Sequence, residues 1–241
     1  MKLENICIVM VGTTHPGNIG AAARVMTNMC LGDLRLVDPQ CPIGEIAYAR
    51  ASGAHAVLDN RKTCNNLADA IADCEYVFAT SARRRSLAWP SLNPTDMVEQ
   101  LMQFNQTTRV ALVFGREHSG LTNEEIQQSN AMICIPTNPE FSSLNIAAAI
   151  QVVCYEIYKQ YDASTTDSDK TDEFEDLASS AETEGMFEHL QQVLLEIDFI
   201  DPQQPGQIMQ RLRRMYLRNK LSRNEVNILR GILSNVQKRI V

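Results

Sequence analysis

Short, mostly apolar runs alternate with longer helical stretches along the first two-thirds of the chain. The runs "ICIVMV" (6–11), "LRLVDP" (34–39), "EYVFAT" (75–80), "RVALVFG" (109–115) and "AMICIP" (131–136) end at Gly, Pro or polar residues. They predict strands buried on both faces. Between them, 18–30, 44–53, 65–72 and 94–103 carry helical spacing, and Pro94 stands where a first helical turn accepts proline. Residues 122–129 predict a short helix, with Thr122 as N-cap and Glu125 completing a capping box. Residues 143–160 are apolar nearly all round at their start and predict a long buried helix. Such alternation predicts an α/β fold, a parallel sheet with helices on both faces joined by right-handed crossovers.

In such sheets ligands bind at the carboxyl ends of the strands. The loops 12–20, 80–85, 115–121 and 136–143 all begin where a predicted strand ends, and all are rich in Gly, Pro, Asn, Ser or Arg. Residues 115–122 have the spacing of a phosphate-binding loop, but Leu121 stands where that loop needs its lysine. The remaining tool is the loop's backbone N–H and C=O groups, which suit a neutral heterocycle and ribose better than a triphosphate. Taken singly, each loop also has a plainer reading. Residues 14–26 could be a turn and helix cap, the arginines of "TSARRRSLAWP" (80–90) a solvated loop, and Ser142 or Ser143 an ordinary N-cap.

Composition adjusts this picture in three places. Of 241 residues, 44% are hydrophobic, enough for a proper core. The longest apolar stretch, 145–158, is too short and interrupted to span a bilayer, and no signal peptide is evident at the start; a cytosolic protein without a membrane partner is expected. Seven cysteines form no C-x-x-C, so buried free thiols are expected rather than a metal site. The net charge of −7 hides two opposed segments. Residues 162–184 hold nine acidic residues and one Lys, whereas 205–241 hold nine Lys/Arg and one Glu. The expected division is a first domain over 1–161, an acidic flexible linker over 162–182, and a basic helical extension over 183–241.

Three loops together resemble the SPOUT class of RNA methyltransferases, in the branch that methylates ribose 2′-hydroxyls. Asn18, Gly20 and Arg24 match its first motif; Gly115, Glu117, Gly120 and Leu121 its second; Ile135, Pro136, Ser143, Leu144 and Asn145 its third. "SARRRSLAWP" and "NILRGIL" are more narrowly similar to the tRNA branch that modifies nucleotide 32 of the anticodon loop. The resemblance implies a trefoil knot near the end of the catalytic domain. It also implies a homodimer with active sites shared between subunits, and S-adenosylmethionine as cofactor without a metal. It places cofactor contacts at Thr80, Ser81, Ala82, Gly115, Gly120, Ile135, Ser142, Ser143 and Leu144. The reaction centre would comprise Arg24, Asn18, Glu117, Ser143 and Asn145. Arg24 is the implied proton acceptor; as a guanidinium it is better suited to holding a substrate phosphate. tRNA would be gripped by Arg83, Arg84, Arg85, Arg116, Arg211, Arg213, Arg214, Arg218, Lys220 and Arg223. A non-catalytic RNA-binding protein of this fold, and an enzyme acting at another tRNA or rRNA position, are the alternatives.

Overall fold

A computed structural model describes residues 2–81, 89–164, 176–201 and 206–240. In chain order its elements are β1 (Ile6–Val11), α1 (Pro16–Asn28), β2 (Asp33–Val37), α2 (Glu45–Ala51), α3 (His55–Asp59), β3 (Lys62–Cys64), α4 (Leu67–Ile71) and β4 (Tyr76–Thr80). There follow β5 (Ser91–Leu92), α5 (Pro94–Leu101), β6 (Val110–Phe114), α6 (Asn123–Ile126), β7 (Ala131–Ile133), α7 (Ile146–Ser164), α8 (Ser180–Glu196), α9 (Gly206–Leu217) and α10 (Arg223–Ile240). The expected strands and the capping box of Thr122 and Glu125 are present. Four short elements went unpredicted: a 3-10 turn over Leu3–Asn5 that precedes β1, α3, β3 and β5.

The strands form one sheet in the order β3-β2-β1-β6-β4-β7-β5, with every pairing parallel. β1, β6, β4 and β7 are therefore adjacent. Their carboxyl ends carry the four Gly-, Asn- and Arg-rich loops, so topology alone gathers these segments at one end of the strands. Toward the other end Arg35, only 2% exposed, pairs with Asp33 and Asp73, and Arg109 pairs with the same two carboxylates.

Alternate residues of each strand feed two apolar layers, as the period-2 geometry of a strand requires. One layer joins Ile6, Ile8, Met10, Phe78 and Phe114 to α1, α2, α5 and α7. Within it α1 and α2 touch so closely that a Cβ on Gly20 would stand 2.0 Å from the Ala47 carbonyl oxygen. The other joins Cys7, Val9, Val77 and Val113 to Leu67 and Ile71 of α4, and to Met186, Phe187, Leu190, Leu217, Val226 and Leu233. The last six come from the C-terminal region, so α8–α10 complete the second layer of the core rather than hanging beside it. Fully burying one such side chain contributes about 1.5–3 kcal/mol.

The expected linker falls outside the described residues over 165–175. Its two ends depart from that reading. α7 runs on to Ser164, and from Asp176 the chain is packed: Leu177 bridges Ser222, Leu177 and Ala178 are buried, and Ser179 caps α8 through a capping box with Glu182. Acidic composition hid this, because Leu177 and Ala178 dock from within a strongly acidic stretch. The seven cysteines are free, but only Cys7, Cys74 and Cys154 are buried as expected; Cys41, Cys64 and Cys134 are partly buried and Cys30 is exposed. Among the described residues, no helix is long and apolar enough to cross a membrane.

Candidate active site

The loop after β6 is a tight, self-contained turn. Arg116 and Gly120 exchange two backbone hydrogen bonds, of 3.2 and 2.9 Å, which bring the chain back on itself. Gly120 lies at φ +68°, a region L side chains avoid. A Cβ on Gly115 would stand 2.3 Å from the Gly120 carbonyl carbon and 2.4 Å from the Leu121 nitrogen. Gly115 is thus required by the loop's own backbone. Leu121 is 2% exposed and belongs to the second apolar layer; it anchors the loop where a phosphate loop would present lysine. Arg116 makes two 3.0 Å hydrogen bonds to Glu125 on α6, and its stem packs against Gly12.

That anchoring aims Glu117 at the loop after β1. Its Oε1 accepts from Asn18 Nδ2 at 2.8 Å. Its Oε2 accepts from the backbone N–H and the hydroxyl of Thr14, at 3.3 and 3.2 Å. Partial burial pushes the Glu117 carboxyl up, but the bonds from Asn18, its own backbone amide and Thr14 outweigh this and hold it below the ordinary glutamate value. Asn18 Oδ1 accepts from Asn145 Nδ2 at 3.0 Å, and Asn145 Oδ1 accepts from the Ala147 N–H at 2.9 Å. Asn145, not a serine, therefore caps α7. Three loops from three strands are joined by one chain of polar contacts.

The remaining expected residues fall around this chain. Arg24 projects from α1, exposed, with no hydrogen bond or ion pair to any described residue. Thr80 ends β4 and donates its hydroxyl to the Val113 carbonyl at 3.0 Å, while the Ser81 N–H donates to the Ile133 carbonyl at 3.0 Å. Ile135, Ser142, Ser143 and Leu144 lie on the loop after β7. The N–H groups of Ser143 and Leu144 have no partner among the described residues. Unpaired amides on a loop that also carries the half-buried Ile135 and the exposed Leu144 suit a neutral heterocyclic ligand. Ala82, Arg83, Arg84 and Arg85 lie outside the described residues.

The basic residues divide more sharply than their spacing suggested. Arg213 pairs with Glu184 and lies over the Phe187 ring, Arg223 pairs with Asp176 and Glu182, and Lys220 sits 5.1 Å from the Phe104 ring centroid. Arg116, Arg213, Arg223 and Lys220 thus have partners within the fold, a division their spacing did not show. Arg211, Arg214 and Arg218 on and just beyond α9 form no ion pair with any described residue. Thr14 and His15 were missed. His15 caps α1 by accepting the Gly17 N–H at its Nδ1, a role no local motif announces.

Residues 5–155 match the model of the SpoU rRNA Methylase family. The chain belongs to the SpoU methylase family. Residues 181–241 match the C-terminal domain of the tRNA methyltransferase TrmJ. Likeness runs nearly end to end: the chain is 44% identical over 245 residues to the tRNA (cytidine/uridine/adenosine-2′-O-)-methyltransferase TrmJ of Pseudomonas aeruginosa strain UCBPP-PA14, covering 98% of this chain and 95% of that protein. The crystal structure of TrmJ from Z. mobilis ZM4 superposes with a TM-score of 0.83 at 33% identity, over 96% of this chain and 98% of that one. At the level of fold alone, the SpoU methyltransferase AviRb from Streptomyces viridochromogenes, solved with AdoMet, is similar over 66% of this chain and 59% of that one, at 20% identity and a TM-score of 0.53. The SpoU assignment agrees with the parallel sheet, the helical C-terminal region and the family expected from the loops.

Proposed function

We propose that this SpoU-family protein transfers a methyl group from S-adenosylmethionine to a ribose 2′-hydroxyl of tRNA, at the pyrimidine of position 32 in the anticodon loop. The observation that carries the reading is the polar chain Glu117–Asn18–Asn145 at the carboxyl ends of β6, β1 and β7, in a chain similar to TrmJ along its length. S-adenosylmethionine, when bound, supplies an electrophilic sulfonium methyl group. The proposed cofactor residues are Thr80, Ser81, Ala82, Gly115, Gly120, Ile135, Ser142, Ser143 and Leu144; the knot of the family would be built from these loops.

The chain's own part is positioning. A ribose hydroxyl is a poor nucleophile, and holding it in line raises its effective molarity by several orders of magnitude. Arg24, exposed and without a protein partner among the described residues, binds the adjoining phosphate through its planar fork and orients the ribose. It keeps its proton throughout. Asn18, Glu117, Ser143 and Asn145 shape the reaction centre. Arg211, Arg214 and Arg218 supply RNA phosphate contacts from the C-terminal region. A homodimer is supported by apolar side chains exposed on the loop after β7 and on α7: Phe141 is 80% exposed, Leu144 38% and Tyr155 50%.

Isothermal titration with S-adenosylmethionine, followed by methyl transfer to unmodified tRNA, tests this reading. Micromolar binding and a single methyl at ribose 32 are expected. Absence of cofactor binding would support the non-catalytic RNA-binding alternative, and a methyl elsewhere in tRNA or in rRNA would move the substrate position.

A further inference from the structure

We propose that Thr14 is a positioning residue for methyl transfer: through Glu117 it fixes the Asn18 amide, and through Asn18 the Asn145 amide, giving three loops one hydrogen-bond polarity. The inference rests on the active-site assignment above. Thr14 lies outside the three sequence motifs that point to the site, and its side chain is exposed. Its contribution is therefore its donors and not its volume.

The polarity follows from counting donors and acceptors. Glu117 accepts at both oxygens, from Asn18 at 2.8 Å and twice from Thr14 at 3.2 and 3.3 Å. An ionised carboxylate only accepts, so Asn18 must turn its NH₂ toward it. Asn18 Oδ1 then faces the other way and accepts the Asn145 NH₂, which leaves Asn145 Oδ1 for the Ala147 N–H. The amide orientations are thus assigned by the network and not chosen freely. A protonated Glu117 would carry a donor of its own and lose part of the acceptor capacity that Thr14 and Asn18 use. With both oxygens engaged, Glu117 is also ill placed to take the proton of the ribose hydroxyl. Its carboxyl, held below the ordinary glutamate value, agrees with that division of labour.

The test compares T14V, which keeps the backbone N–H and removes the hydroxyl, with T14S, which keeps both donors. Removing a hydrogen bond to a charged acceptor is expected to lower kcat by about ten- to a hundredfold. KM for tRNA and S-adenosylhomocysteine affinity should stay within about threefold. T14S should retain kcat within about threefold. The acid limb of the kcat profile should move to higher pH in T14V, because Glu117 loses a donor that stabilises its charge. T14S as impaired as T14V, or T14V with wild-type kcat and acid limb, overturns the proposal. If T14V does not fold, the wild-type protein still decides: a Glu117 carboxyl that titrates by ¹³C NMR at or above the ordinary glutamate value overturns it as well. N18A and E117Q separate the role of Thr14 from the site it serves. If both keep wild-type kcat, the active-site assignment itself fails. If both are impaired while T14V is normal, only the role of Thr14 fails.

Discussion

Replacing Gly115 with alanine adds one methyl group and puts the loop after β6 under direct test. The new Cβ would meet the Gly120 carbonyl carbon at 2.3 Å and the Leu121 nitrogen at 2.4 Å. Both obstacles are backbone, so no rotamer change relieves them. Reaching ordinary packing distance requires the two sides of the turn to part by roughly 1 Å, and overpacking of this kind costs about 1–3 kcal/mol. For a chain of this size that lowers Tm by roughly 2–4 °C per kcal/mol. The displacement also separates Glu117 from Asn18 and Thr14, and a misplacement of about 1 Å near the chemistry can cost on the order of 10²-fold in rate. Thermal unfolding and single-turnover methylation of tRNA, run on the same preparation, measure both. A G115A protein with wild-type Tm and wild-type rate would refute the reasoning, because it would mean that the loop can open without consequence.

Three further outcomes are expected. R24A should lower turnover by orders of magnitude while S-adenosylmethionine affinity in isothermal titration stays near wild type; loss of cofactor binding would reassign Arg24 to the cofactor side. R211E/R214E/R218E should weaken tRNA binding and flatten its salt dependence by roughly 0.7–0.9 log units for each RNA phosphate that is no longer neutralised, with Tm unchanged. Point substitution is the better test here, since deleting residues 183–241 would strip Met186, Phe187 and Leu190 from the second apolar layer. Asp73 supplies a pH prediction. Burial alone would raise its pKa, but the Arg35 hydrogen bond and charge, with Arg109 beside them, bring it down to about 2. A depressed carboxylate stabilises the fold above its unfolded value and loses that contribution as pH falls through its folded one. Tm should therefore drop between about pH 4 and pH 2, and D73N should show a shallower drop; identical pH profiles would show that this ion pair does not stabilise the fold.

The main frame of the molecule was legible because the signals it needs are local. The runs at 6–11 and 109–115 read as strands because they are short, apolar and bounded by glycine, and Thr122 with Glu125 marks a helix start without reference to anything else. β3 was missed because "KTC" is a partly exposed edge pairing through its backbone, which leaves no apolar pattern to read. β5 is two residues long. The same division holds at the site. The loops were found because each follows a strand, and strand order then gathered them. The bond from Thr14 to Glu117 spans 103 positions and that from Asn145 to Asn18 spans 127, separations over which no spacing argument operates. Arg213 and Arg223 read as free charges because the carboxylates that hold them, on α8 and just before it, are distant in sequence. Leu121 read as a missing lysine, and its actual place in the core depends on which face of the sheet the loop returns to.

Whether the converging loops methylate one ribose of tRNA is tested most directly by mass-spectrometric mapping of 2′-O-methyl nucleosides. Purified protein, S-adenosylmethionine and an unmodified tRNA transcript are combined, with R24A in parallel. One new 2′-O-methyl group at pyrimidine 32 is expected with the wild-type protein and almost none with R24A. Transfer to position 32 at equal rates by both proteins, or no transfer to tRNA by a wild-type protein that binds the cofactor, would contradict the proposed function.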